Sequence, residues 1–139
     1  MTLLRTADQV KRDLASVVEP HGLTLQQFNV LRILRGAGPA GLPTLEIAER
    51  MVEQAPGITR LLDRLEKKAL ARRERCPHDR RQVLVAITPG GLRLLANLDA
   101  PVAEADDALL ASLGERRIAT LIRLLDAVGQ APARRASSL

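Results

Sequence analysis

One β-hairpin, in a chain otherwise patterned for helices, constrains this fold more than any other feature. In "CPHDRRQVLVAITPGG", residues 76–91, Val83, Val85 and Ile87 alternate with Gln82, Leu84 and Ala86. That is the period-two pattern of a strand. Residues 71–76 supply its partner strand, and 77–81 the connecting loop. Composition points away from a larger sheet. Hydrophobic residues make up 46% of the 139, but aromatics only 1%, with Phe28 alone and no Trp or Tyr. A core of Leu, Ile, Val and Ala favours helices over a β-sandwich.

The rest of the chain reads as helices. In residues 2–19, Leu3, Ala7, Val10, Leu14, Val17 and Val18 recur mostly at three and four, the spacing of an amphipathic helix. "PHG" at 20–22 ends it. Thr24 and Gln27 form a capping-box pair that opens a helix to about Leu34, with Phe28, Leu31 and Leu34 inside. "RGAGPAGLP" breaks the chain. A short helix from Leu45 to Met51 follows, with Thr44 as its expected cap. After a turn at Val52-Glu53 comes a helix from about Gln54 to Lys68, whose inner face is Ile58, Leu61, Leu62 and Leu65. A short helix, a tight turn and a second, basic helix is the order of a helix-turn-helix. Beyond the hairpin, Thr88 caps a helix with Pro89 at its first position. That helix runs through Leu92, Leu95, Leu98, Val102, Ala105 and Leu109, until Ser112 and Gly114 interrupt. The last helix has a broad apolar side of Ile118, Leu121, Ile122, Leu124, Leu125 and Val128.

Charge is concentrated. Residues 1–58 hold six Lys/Arg and six Asp/Glu, and residues 83–139 hold six and six. Residues 59–82 hold nine against four, so the whole net charge of +5 lies in this segment. A single basic segment is the electrostatic signature of a polyanion partner. No apolar run approaches the roughly 18 residues of a membrane span. The charged start "MTLLRTADQVKRD" is unlike a signal peptide, so the expected location is the cytoplasm. One cysteine, Cys76, excludes an internal disulfide. With two histidines, one cysteine and no Gly-rich phosphate loop, neither an enzyme, a metal site nor a cofactor is expected. Cys76 lies near Arg75, Arg80 and His78, a basic setting that lowers a thiol pKa, but its default reading is a bystander thiol.

A hairpin directly after a recognition helix is a wing, and its tip reaches the minor groove, which draws in arginine where it is narrow. In extended backbone Asp79 and Arg81 point to one side. The carboxylate is then expected to hold the guanidinium before DNA arrives, lowering the entropic cost of insertion. Arg80 suits a phosphate.

The stretch "PGITRLLDRLEKKALARRERCPHDRRQVLVAITPGG" resembles the core of the MarR family of winged-helix transcription regulators, and the order of helices around it is similar. The Asp-x-Arg wing, the apolar strand and the "TPGG" that follows are the most specific part. The resemblance implies a mainly α fold with a small β-hairpin wing. It implies a single domain over 1–132, with the winged helix at about 24–88 and dimerisation helices at about 2–20 and 89–130. Residues 133–139 are expected to form a disordered tail.

The resemblance also implies a homodimer on a roughly palindromic operator of double-stranded DNA, commonly a repressor released by a small ligand or an oxidant. By position, Gln54, Ala55, Gly57, Thr59 and Arg60 meet base edges and phosphates, with Arg81 at the wing arginine and Asp79 as its partner. Arg60 suits a guanine or a phosphate equally. Arg64, Lys67, Lys68, Arg72, Arg73 and Arg75 are assigned mainly to phosphates. Two positions depart from the family. Gln54 stands where a Ser or Thr cap is frequent, and Ala69 where glycine is usual, at a left-handed helix end that strains alanine. For an effector, the polar anchors are Arg32, Arg35 or His21, with few aromatics for stacking. Two other readings stand beside this one: a winged-helix protein-interaction module, and a DNA binder that ignores sequence.

Overall fold

The computed structural model describes residues 1–51 and 57–130. The turn at Val52-Glu53, the helix start from Gln54 through Ala55, and the tail at 133–139 lie outside the described residues. The chain divides into two compact units, residues 1–105 and 106–139.

Helix α1 spans Thr2–Val18 and closes in a single 3-10 turn, Glu19–His21. Gly22 follows with φ 79°, a left-handed turn that a Cβ would strain. Helix α2, Leu25–Ala37, opens on the expected capping box. Thr24 Oγ1 accepts from Gln27 N at 3.1 Å, and Gln27 Oε1 accepts from Thr24 N at 3.0 Å. The helix runs three residues past Leu34, and a glycine with φ 77°, Gly38, takes over. Strand β1, Leu42–Pro43, leads into helix α3, Thr44–Arg50. Thr44 is not the cap expected of it. It is the first residue of the helix, Pro43 holds the cap position, and no side chain bonds the free amides. Proline's fixed φ suits that extended entry.

Helix α4, Ile58–Lys67, has Gly57 before it at φ 91°. Strands β2, Ala71–Arg75, and β3, Val83–Ile87, pair antiparallel from Ala71↔Ile87 to Arg75↔Val83. The hairpin is not alone: β1 pairs with the other edge of β3, through Leu42↔Val85 and Pro43↔Leu84, in the order β1-β3-β2. Gly41 makes this approach possible, because a Cβ there would meet Val85 O at 2.5 Å.

Helix α5, Pro89–Leu110, continues through Pro101. Thr88 caps it as expected. Its Oγ1 accepts from Gly91 N at 3.1 Å and donates to Ala69 O at 2.6 Å. Helix α6, Glu115–Gly129, starts after Gly114.

The core of the first unit joins Val18, Phe28, Leu31 and Leu34 to Ile47, Leu62 and Leu65, then to Val85, Leu95 and Leu98. The stripes read from the sequence thus close on one another: Leu61, Leu62 and Leu65 of α4 are all buried. The core positions α4 from behind and leaves its opposite side to solvent. The second unit differs. No residue of α6 is buried, and Leu121, Ile122, Leu124, Leu125 and Val128 are 36–61% exposed.

Candidate nucleic-acid interface

Helix α4 turns Thr59, Arg60, Arg64 and Lys67 outward, because the three leucines fix which side faces the core. Arg60, Arg64 and Lys67 make no side-chain hydrogen bond or ion pair among the described residues. Gly57 holds the cap position before the helix in left-handed backbone. Gln54 and Ala55, expected at base edges, lie outside the described residues.

Beside α4 is a cleft of about 600 Å³ lined by Glu19, Thr24, Gln26, Gly57, Arg60 and Arg64 among others. It brings the start of α2 against the basic helix. Gln26, exposed on its rim, was not singled out from the sequence. Its neighbours there come from another part of the chain, and no local pattern announces them.

At α4's C-terminus Ala69 has φ 57°, the strained left-handed position anticipated for it. Among the described residues it is the one non-glycine with positive φ. Lys68, expected on phosphate, is directed elsewhere. Its Nζ donates to Gly22 O and to Gln27 Oε1, the latter at 3.3 Å, so it ties α4's end to the start of α2.

The wing carries a second correction. Asp79 does not meet the Arg81 guanidinium. Its Oδ1 accepts from the Arg81 backbone N at 3.0 Å, while its carbonyl accepts from Gln82 N at 3.0 Å. The tip is a tight turn, not extended strand, so the carboxylate reaches a main-chain amide two residues on before it can reach the side chain. The bond from Cys76 N to Gln82 O at 2.9 Å closes the loop. Asp79 therefore shapes the tip, and the Arg80 and Arg81 side chains extend from it exposed and unpaired among the described residues. Cys76 is a half-buried free thiol.

Strand β2 holds three arginines in three settings. Arg72 lies 3.4 Å from Glu74. Arg75 has no side-chain partner among the described residues. Arg73, assigned to a phosphate from the sequence, is bonded to α4 through Asp63 Oδ1 at 2.5 Å and Thr59 O at 3.1 Å.

Of the nine cations in residues 59–82, Arg60, Arg64, Lys67, Arg75, Arg80 and Arg81 thus have no side-chain partner among the described residues. They are divided between the helix and the hairpin. Free cations on two projecting elements of one small domain suit a polyanion that both can touch. Among the described residues there is no cluster of His, Cys, Asp and Glu able to hold a metal ion.

Comparison with known proteins agrees with this geometry. Residues 23–83 match the family model described as "MarR family". The HTH-type transcriptional regulator MhqR of Bacillus subtilis (strain 168) is 30% identical over 112 residues, 81% of this chain and 76% of that protein. The crystal structure of a MarR transcription factor from Planctomyces limnophilus is 42% identical, with a TM-score of 0.70 over 90% of both chains. A cysteine-to-serine mutant of MarR from E. coli, complexed with operator DNA, is 30% identical with a TM-score of 0.83. The match covers 91% of this chain and 90% of that one.

Proposed function

The chain belongs to the MarR family of DNA-binding transcription regulators, and from that premise we propose that it is a repressor acting as a homodimer on a roughly palindromic operator. These relatives are transcription regulators, not enzymes. The observation that carries the proposal is the set of cations on α4 and the hairpin that have no side-chain partner among the described residues, confined to the one basic segment of the chain. Helix α4 enters the major groove, where Arg60 is placed for a base edge or a phosphate and Arg64 and Lys67 for phosphates. Arg81, on a tip shaped by Asp79, enters the minor groove, with Arg80 on the backbone. Gly57 and Thr59 complete the contact at the start of the helix, and Gln54 and Ala55 are assigned to it by their positions in the family pattern.

The dimer rests on exposed apolar surface. Leu3 and Leu4 of α1 are more than half exposed, as are Ile122, Leu124 and Val128 of α6. A second copy covers them around a two-fold axis. The two α4 helices then face half-sites about 34–36 Å apart. Residues 1–132 act in this reading as one functional domain in the cytoplasm. No helix among the described residues is long and apolar enough to cross a membrane.

Release by a small ligand completes the proposal. Of the three candidate anchors, Arg35 borders a cleft of about 440 Å³ floored by Ile87, Leu92, Pro39 and Pro89, with Arg72 also on its edge. That lining suits an apolar ligand, and a carboxylate on it would compete with Asp99, whose Oδ1 and Oδ2 each accept from Arg35 Nη1 at 3.0 Å. Arg32 instead lies over the Phe28 ring at 5.6 Å, and His21 is exposed.

The test is fluorescence anisotropy over a salt series, with duplex DNA from upstream of the gene against a scrambled duplex. The expected result is a preference for the native duplex that persists at about 0.15 M salt, where non-specific binding is weak. Equal binding to both, together with failure to select any sequence from a randomised pool, overturns the reading. Sedimentation showing a monomer at micromolar concentration removes the dimer.

A further inference from the structure

We propose that Arg73 is a positioning residue that clamps the recognition helix to the wing hairpin, making the two DNA-reading elements one rigid body. This rests on the DNA-binding reading above and reverses the phosphate role that its charge alone suggests.

Arg73 sits at the centre of β2, opposite Val85 of β3. Its Nη1 donates to Asp63 Oδ1 at 2.5 Å, its Nη2 donates to Thr59 O at 3.1 Å, and its Nε lies 3.9 Å from Glu66 Oε2. Thr59, Asp63 and Glu66 stand at i, i+4 and i+7 on α4, one stripe two turns long. A single hydrogen bond sets a distance. A planar guanidinium forked across a carboxylate, a backbone carbonyl and a second carboxylate also sets rotation about the helix axis and position along it. That rotation decides where Arg60 and Arg64 point.

The environment separates Arg73 from its neighbours. Its side chain is 27% exposed, against 51% for Arg72. Asp63 and Glu66 are the only acids on α4, and Arg73 faces both. If Arg73 left for a phosphate, Asp63 would stand uncompensated beside a polyanion. The clamp therefore has two effects: it orients the helix, and it screens the two carboxylates that would repel DNA.

The experiment uses the full chain and the duplex that the wild type selects from a randomised pool, with a scrambled duplex as control, over a salt series. Arg73→Gln removes the clamp. Arg73→Lys keeps a cation able to touch a phosphate but cannot bond Asp63 and Thr59 O together. Both are expected to weaken binding to the selected duplex by about tenfold or more, the scale of losing hydrogen bonds to a charged group. The preference over the scrambled duplex narrows, and the slope of log affinity on log salt stays that of the wild type. Asp63→Asn, which leaves Arg73 in place, narrows the same preference.

Wild-type behaviour of Arg73→Lys, or a slope that falls by about one in Arg73→Gln, makes Arg73 a phosphate ligand and overturns the clamp. So does a sharper preference in Asp63→Asn, or no change in any variant. Amide hydrogen exchange is the independent measure. The amides of α4 are expected to exchange faster in Arg73→Gln while those of β3 keep their protection. If the wild type selects no sequence, the DNA-binding reading fails, and the exchange of α4 still decides the clamp.

Discussion

Helix α4 carries Leu61, Leu62 and Leu65 on one side, and α6 carries Leu121, Ile122, Leu124 and Leu125, yet the first set is buried and the second exposed. Both stripes follow the three-and-four spacing of one helix face, with Leu124 widening that of α6, and their chemistry is nearly the same. Helix α4 finds its cover within the chain, from α2, α3 and the sheet of the first unit. Helix α6 leaves an apolar side in water, which is costly for a group of large aliphatic side chains. The difference shows that an amphipathic pattern specifies a buried face without specifying which molecule buries it. One stripe serves folding, and the other is the surface proposed above for association.

Four substitutions break or sharpen this contrast. The largest effect is expected from Leu65→Ala, which empties a fully buried site in α4. It should cost about 2–5 kcal/mol of stability, read by chemical denaturation at fixed protein concentration. If that loss is under about 1 kcal/mol, the α4 stripe is not part of the packed core. Next is Leu125→Glu on α6. A charge at an interface centre should cost association about 2 kcal/mol or more, seen as monomer by sedimentation with the helical circular dichroism of the first unit retained. A dimer of unchanged affinity would mean that α6 is not the associating surface.

Thr24→Ala removes the side-chain half of the capping box that starts α2 beside the basic helix, the hydroxyl that accepts from Gln27 N, and leaves the backbone N–H that donates to Gln27 Oε1. A loss of about 1 kcal/mol is expected, again by denaturation. The smallest effect is a gain. Ala69→Gly relieves the left-handed residue that ends α4. The strain removed is about 1–2 kcal/mol, offset by glycine's greater freedom when unfolded, so stability should rise by about 0.5 kcal/mol. An unchanged or lowered denaturation midpoint would contradict the strain at that joint.

Much of the fold was legible in the chain because its signals are local. The capping box at Thr24 and Gln27, the Thr88 cap with Pro89 behind it, the stripe of α4 and the alternation of β3 each depend on residues within a turn or a strand of one another. Strand β1 was not legible. Two residues, one of them proline, carry no period, and Leu42–Pro43 is a strand only because β3 lies beside it. The cap of α3 falls one residue before Thr44 for a related reason. Thr44 is a good cap by type, but the extended entry belongs to Pro43.

The strained helix end at Ala69 is what the family resemblance implied, whereas for the candidate interface the sequence by itself determined the concentration of charge in residues 59–82 and the succession of short helix, basic helix and hairpin. These follow from composition and short-range backbone geometry. Only the tertiary structure decided how the charges are used. Arg60, Arg64, Arg73 and Lys68 are indistinguishable as symbols in a basic segment. Arg73 reaches Asp63 and Thr59 O across ten and fourteen positions, and Lys68 reaches Gly22 O across 46. A cation takes whichever acceptor the fold brings within reach, and that acceptor is set by the packing of the leucines behind α4. The same principle turned Asp79 from its expected guanidinium to the Arg81 amide, because a tight turn brings the backbone closer than the side chain.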